Sequence, residues 1–506
     1  MTAQLESPRP DSESTAGLIG RHKQTFGFDL GASLVVFLVA LPLCVGIAVA
    51  SGVPAELGII TGVVGGIVVG CLPGSTMQVS GPAAGLTVLV SSAVADHGLA
   101  TLGVIVLGAG LLQILLGLIG IGTWFRAISP SVVQGMLAGI GLVIILGQIY
   151  PVGGMEQPSE TGAKFSGLPE LLNSLLTTST GRSGLAIAVV TLLTMTLWGR
   201  MPQRLRLIPG PLVGVGVAAL LTSVLGLPLE TIQVGSLLET VNLVTPDSFG
   251  AATSFAVLGS ILTFALIASA ESLFSAAAID RMHDGPKTRF NTELMAQGVG
   301  NTICGVLGAL PMTAVIVRST ANLNAGARTK LSRVMHGIWL LLFVMLLPGV
   351  LSYIPLATLG ALLLHAGWKL LGVRQVAKLL REQRAEAFVL VLTAGMILGT
   401  DLLIGTLTGL VAAVIKTAWE VSRLSVEVEH EDEEDHAQVR LHGNATFLRL
   451  PQLQDKLEQL PVTSSAHVDM TPVRHLDLAC HQAVENWAEQ RRKSDCEVEL
   501  AMPSSR

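Results

Sequence analysis

Residues 71–85 read CLPGSTMQVSGPAAG, and residues 307–319 read LGALPMTAVIVRS. Each is a Gly/Pro break leading into an apolar stretch, 83–94 and 314–323, that is too short to cross a bilayer; a spanning helix takes about 20 residues. Irregular backbone at membrane depth is tolerated only where protein covers it or where it lines a cavity. Two such interruptions at corresponding places of one chain are the sequence mark of a transporter's binding site.

Outward from this pair, apolar runs fill the chain from about Phe28 to Glu420. They begin near Leu30, Leu57, Ala83, Leu102, Val132, Leu185, Leu212, Phe255, Leu294, Ala314, Val334, Leu356, Phe388 and Leu402. Fourteen segments divide into seven and seven. The short stretches are then the third of each half, as inverted-topology repeats require. The expected fold class is an α-helical polytopic membrane protein of fourteen transmembrane segments in 7+7 inverted repeats, with a small C-terminal α/β domain. The expected boundaries are a cytoplasmic tail over 1–27, the transmembrane domain over 28–420, an acidic linker over 421–437 (EVEHEDEED at 427–435) and the small domain over 438–506.

Composition agrees. Half of the 506 residues are hydrophobic and only 13% are charged, against about 25% in soluble domains. Disordered chains are charged and poor in apolar residues, so that class is excluded. Lys and Arg (31) do not outnumber Asp and Glu (36), so no nucleic-acid partner is expected. With the N-terminus inside, the loops assigned to the cytoplasm hold fifteen Lys/Arg and the opposite loops only Lys164 and Arg182. That asymmetry places both termini in the cytoplasm.

Two constellations carry chemistry. The first is Glu271 in LTFALIASAESLFSAAAID (262–280). A mid-membrane carboxylate is costly and marks an ion path or a buried partner. Ser275 lies four residues on, on the same helical face. A carboxylate with a hydroxyl suits Na⁺, and a buried carboxylate suits H⁺; the pattern fits either. The second constellation is the pair of short helices. Helix N-termini offer free N–H groups and partial positive charge to an anion. Gly81, Ala83, Ala84 and Gly85 on one, with Thr313 and Ala314 on the other, let backbone approach a small ligand. Arg318 sits inside the tenth segment and needs a partner if buried: an anion, Glu271 or a helix C-terminus. No HExxH or Cys/His cluster suggests a metal, and no Walker A suggests ATP drive; no cofactor and no enzymatic activity are expected.

The chain resembles the SulP family of inorganic anion transporters, and more closely its bacterial bicarbonate/sulfate-type members. The resemblance rests on residues 40–75 (ALPLCVGIAVASGVPAELGIITGVVGGIVVGCLPGS), 78–90 (QVSGPAAGLTVLV), 268–276 (ASAESLFSA) and 308–332 (GALPMTAVIVRSTANLNAGARTKLS). It implies core and gate domains, an anion held between the third and tenth segments, an elevator motion, a cytoplasmic STAS domain and a homodimer. Glu271 matches the family's coupling acid and Ser275 a neighbouring hydroxyl, whereas Ile316 stands where a second hydroxyl occurs. Ala83 and Ala84, with Val315, Ile316 and Val317, match backbone positions facing the anion. Arg318 matches the basic residue near it, and Leu43 and Ile47 the pocket lining. In the tail Asp469 and Asp477 are kept, while Leu478 replaces a common Ser.

The function expected is secondary active transport of a small inorganic anion across a bacterial inner membrane, bicarbonate first and sulfate second, coupled to H⁺ or Na⁺. An uncoupled anion channel or exchanger is the alternative.

Overall fold

The computed structural model describes residues 15–127, 129–158, 161–202, 208–233, 235, 240–241, 243–244, 250, 254–400, 402–431, 436–460, 465–494 and 496–502. The expected tail before residue 15, Arg204 and Arg206, and the centre of the acidic run at 432–435 lie outside them. The chain forms two units, Met1–Gly409 and Leu410–Arg506.

Every expected apolar segment is a helix. The first half holds α1 (Thr15–Ala50), α2 (Ala55–Val64, continued as a π turn to Val69), strand β1 (Ser80–Pro82), α3 (Thr87–His97, entered by a 3-10 turn, Ala84–Leu86) and α4 (Leu99–Leu118). It continues with α5 (Pro130–Val152), two short helices α6 (Thr161–Ser166) and α7 (Leu168–Thr177), α8 (Ser179–Trp198) and α9 (Gly210–Leu225). The second half holds α10 (Phe255–Asp280), α11 (Phe290–Val306), strand β2 (Met312–Ala314), α12 (Ile316–Asn324) and α13 (Leu331–Leu346). It ends with α14 (Leu356–Leu371), α15 (Val373–Glu382), α16 (Arg384–Gly399) and α17 (Leu402–Val421). Among the described residues, seven helices are long and apolar enough to cross a membrane by themselves, among them Leu99–Leu118, Pro130–Val152 and Phe255–Asp280.

The two halves meet at β1 and β2, which pair antiparallel with Gly81 opposite Thr313. Some corresponding elements of the two halves keep the sequence offset of that pair. α4 and α13 begin at Leu99 and Leu331, separated by the same 232 residues as Gly81 and Thr313. Ala83 and Val315, again 232 apart, precede the two half-helices with nearly the same backbone angles, φ −107°, ψ 131° and φ −108°, ψ 116°. No letter-by-letter repeat marks this symmetry in the sequence, because it resides in backbone geometry and hydropathy.

Packing separates two helix groups. α1 lies against α2 and α13, and α4 lies along α11 and α10; these helices carry β1, β2, α3 and α12 and form the core domain. α5 lies against α14 and α16, and α8 against α9 and α14; these form the gate. Close approach in the core uses small residues, as at Gly110 of α4, where an added methyl would meet the Gly298 carbonyl of α11. Small interfacial residues let membrane helices gain van der Waals contact where no hydrophobic force separates them from lipid.

Two expectations need correction. Residues 15–27, assigned to the tail, already belong to α1; no Pro interrupts them, so the first span extends its helix outward. The acidic linker at 421–437 is in part a strand: β3 (Leu424–Glu431) pairs antiparallel with β4 (His436–Ala445). Leu424, Val426 and Val428 alternate into a hydrophobic cluster while the intervening acids stay on the other face. That period-2 pattern outweighs acidic composition. The second unit's sheet runs β3-β4-β5-β7 with β6 also on β4. Here β5 is Ser465–Asp469, β6 Val473–Leu476 and β7 Val498–Ala501, with helices α18 (Leu450–Glu458) and α19 (Leu478–Arg492).

Candidate anion and coupling site

The site begins with the β1–β2 pair. Backbone this deep must have its polar groups satisfied, and side chains of the core helices do this. Asn301 of α11 accepts the Met312 N–H at 2.7 Å and donates to the Met312 carbonyl at 3.0 Å. Its amide also donates to Gln113 of α4 at 2.8 Å, and Gln113 donates to Ser269 of α10 at 3.2 Å. The Ala314 N–H donates to Ser272 Oγ at 3.2 Å, and Gln78 donates to the Ser272 carbonyl at 2.9 Å. Val315 N–H donates to the Val79 carbonyl, and Val79 N–H to Ser319 Oγ, both at 2.9 Å. Glu293 accepts the Ser75 N–H at 2.7 Å and Gln297 at 2.8 Å; Gln297 also donates to Ser80 Oγ at 2.7 Å. The paired strands are thereby fixed to α4, α10 and α11.

From this platform two half-helices start. Neither has a side-chain cap at its N-terminus, so the first N–H groups of each have no intrahelical acceptor and no side-chain substitute. On the tenth segment Val315, Ile316 and Val317 are half-buried, whereas Arg318 and Ser319 are fully buried. The first three border open space and Arg318 turns into the protein. On the third segment Ala83 is buried and Ala84 half-buried. Ile47 belongs to the same hydrophobic cluster as Ala83 and Leu86, with Leu43 and Ala84 packed on its edge.

Glu271 joins this cradle. An added methyl on Gly85 would collide with the Glu271 carboxylate, so the acid lies against the first turn of the third segment. Thr313 of β2 stands beside it, while its Oε2 is buried without a partner among the described residues. Ser275 is buried one turn further along α10. The structure therefore brings Glu271, Thr313, Gly85 and both half-helix starts together.

Arg318 does not pair with Glu271. It is 0% exposed, and none of its three guanidinium nitrogens has a hydrogen-bond partner among the described residues. It lies over Gly81, where a methyl would strike the guanidinium, beside the Cys44 thiol. A buried charge without a partner is costly, and a nearby anion would offset that cost.

Sequence reasoning passed over Gln78, Gln113, Gln297, Asn301 and Glu293, and read Thr313 only as a small residue beside the ligand. Glu293 was the readable signal, a second carboxylate within an apolar run.

A cavity of about 490 Å³ lies on the side of the bundle where α1, α3 and α5 end. Val49, Ala50, Ser91, Val94, Gln148 and Leu359 line it, together with Glu156 and Glu230. It touches both helix groups, one turn from Ile47.

Paired half-helices on a doubled seven-segment scaffold define a membrane transporter of the inverted-repeat class. Residues 26–393 match the model of the sulfate permease family, and residues 429–506 match the Mlab, STAS domain model. The chain belongs to the sulfate permease family, is a multi-pass membrane anion transporter, and carries a C-terminal STAS domain. YvdB of Bacillus subtilis, which bears a provisional sulfate transporter name, is 28% identical over 82% of this chain and 78% of its own. The bicarbonate transporter BicA of Picosynechococcus is 23% identical over 68% of this chain and 62% of its own. Among solved structures, the transmembrane domain of a cyanobacterial BicA covers 78% of this chain and 98% of its own, with TM-score 0.65 and 23% identity. Murine Slc26a9, an anion transporter in the inward-facing state, covers 98% and 90%, with TM-score 0.74 and 15% identity. These two likenesses concern the fold.

Proposed function

We propose that this protein is a secondary transporter that couples one small inorganic anion to H⁺ or Na⁺ through Glu271. The observation that carries this reading is the position of the Glu271 carboxylate against Gly85, at the start of the third segment. An ionised Glu271 there opposes an anion electrostatically, and neutralisation by a bound cation removes that opposition. Each ligand then favours the other, which is thermodynamic coupling. Ser275 and Thr313 supply hydroxyls for the cation. The N–H groups of Ala84, Ile316 and Val317 receive the anion, and Arg318 contributes positive potential.

Bicarbonate is the favoured substrate. Apart from backbone, one guanidinium, the Glu271 carboxyl and the Thr313 hydroxyl the cradle is apolar, and desolvating a monovalent anion there costs far less than desolvating a dianion. The name of BicA agrees. Sulfate is the second reading, favoured by the name of YvdB. The elements of the site all lie in the core domain, so motion of the core against the gate carries them as one piece, an elevator. The 490 Å³ cavity is the non-cytoplasmic approach, in a protein with both termini cytoplasmic, placed in the bacterial inner membrane as a homodimer.

The test is uptake of radiolabelled bicarbonate and sulfate by proteoliposomes under imposed Na⁺ or H⁺ gradients. Concentrative uptake of bicarbonate driven by one cation supports the proposal. Uptake of sulfate alone replaces the substrate, and uptake that ignores both gradients makes the protein a channel or exchanger.

A further inference from the structure

The second unit carries a feature that anion transport does not use. Its last membrane helix ends at Val421, and the sheet begins three residues later at Leu424. Helix ends leave backbone carbonyls without partners. Here Asn444 of β4 donates through its side chain to the Val421 carbonyl at 2.7 Å and through its backbone to the Arg423 carbonyl at 2.9 Å. Arg449 Nε donates to the Ser422 carbonyl at 2.9 Å. The junction is therefore held by hydrogen bonds from two elements of the small domain.

Three arginines surround this junction: Arg423 at the helix exit, Arg449 before α18 and Arg474 in β6. None of them forms an ion pair among the described residues. Two open pockets of about 460 Å³ each share Arg423, His442 and Gly443; the first adds Arg449 and the second Arg474. Gly443 has φ +102°, and a methyl there would collide with the Arg423 carbonyl, so the floor between the pockets stays bare. Two carboxylates stand nearby. Glu420 lines the second pocket but is paired with Lys416 at 2.9 Å. Glu427 lies 4.0 Å from His442 Nε2. The groove is basic, with its one lining carboxylate already neutralised.

Its position relative to the bilayer follows from the helix it ends. Trp419 lies four residues before Arg423, and the Arg449 guanidinium stacks over its ring at 4.4 Å. Trp collects at the headgroup level of membranes, and basic clusters just past a span attract anionic lipid headgroups. Val421 is also exposed, giving an apolar flank for acyl chains beside a basic floor.

We propose that the Arg423–Arg449–Arg474 groove binds the phosphate of an anionic phospholipid headgroup at the end of the last span. The site is separate from the transported anion, and it makes the STAS domain a reader of membrane lipid charge.

The experiment uses the full chain in neutral detergent and measures binding by thermophoresis. The probes are dioctanoyl phosphatidylglycerol, dioctanoyl phosphatidylcholine and inorganic phosphate. The expected result is that phosphatidylglycerol binds about tenfold or more tighter than phosphatidylcholine, weakening with salt. Arg423→Gln/Arg474→Gln, which removes none of the three hydrogen bonds of the junction, weakens phosphatidylglycerol about tenfold or more. Arg423→Lys/Arg474→Lys keeps most of the binding, which separates charge from folding. Equal binding of the two lipids, or unchanged binding in the Gln variant, overturns the proposal. Full displacement of phosphatidylglycerol by inorganic phosphate of comparable affinity makes a soluble phosphate the ligand and overturns the lipid assignment.

Discussion

The Glu271 carboxylate rests against the backbone of Gly85, with no room for a methyl group between them. The contact joins the eighth segment to the start of the third and puts the one unsatisfied carboxylate oxygen of α10 beside free helix N–H groups. A cation and an anion bound here would be near neighbours, so binding of each must depend on the other.

Gly85→Ala tests that contact. The methyl displaces the carboxylate, and overpacking of this kind costs about 1–3 kcal/mol. Anion KM should rise about tenfold while the detergent-solubilised protein keeps its melting temperature within a few degrees. A KM unchanged in uptake assays would mean that the contact has no bearing on the anion.

Arg318→Met separates stability from function. Replacing a buried charge by a hydrophobe of similar volume is often neutral or stabilising by about 1–4 kcal/mol, and among the described residues Arg318 has no hydrogen-bond partner to orphan. Thermal stability should hold or rise by a few degrees, while uptake falls about tenfold or more. A strongly destabilised Arg318→Met would show that the guanidinium is a structural anchor.

Asn301→Ala should behave in the opposite way. It strips partners from both backbone groups of Met312 and leaves Gln113 without one donor. Buried unsatisfied groups cost about 1–3 kcal/mol each, so a lowered melting temperature with reduced folded yield is expected. Asn301→Asp keeps the acceptor for Met312 N–H and should be intermediate; fluorescence-detected size exclusion on heated samples measures both.

The second unit gives a pH-dependent expectation. Burial pushes the Cys480 thiol up to about 12, and its hydrogen bond and proximity to Asp477 add to the effect. Near pH 8 the thiol stays protonated, and the thiolate is the reactive form. Maleimide at pH 8 should modify the exposed Cys71 and spare Cys480, as read by peptide mass spectrometry. Asp469 moves the other way: hydrogen bonds from the Thr471 hydroxyl and N–H hold its carboxyl below the usual range. Its contribution to stability is present above the unfolded value near 4 and is lost as pH falls through the lower folded value.

What the sequence showed depended on the kind of signal. Hydropathy was legible because each span must be apolar, and the Gly/Pro breaks at 71–85 and 307–319 were legible because such breaks are unusual at membrane depth. Glu271 stood out for its cost. Gln113, Gln297 and Asn301 did not, since an amide inside a helix announces no partner, and their partners lie up to 217 residues away. Arg318 was readable as buried, but its lack of a partner is a three-dimensional fact; the pairing with Glu271 was chemically reasonable and is not formed. Strand β3 was hidden because its acids dominate composition, while its alternating Leu424, Val426 and Val428 decide its structure.

The most direct test is bicarbonate uptake by proteoliposomes holding wild type or Glu271→Gln, with and without the driving cation gradient. The account predicts that wild type concentrates bicarbonate only with the gradient, and that Glu271→Gln loses this dependence while retaining downhill exchange. Gradient-driven accumulation undiminished in Glu271→Gln would contradict it.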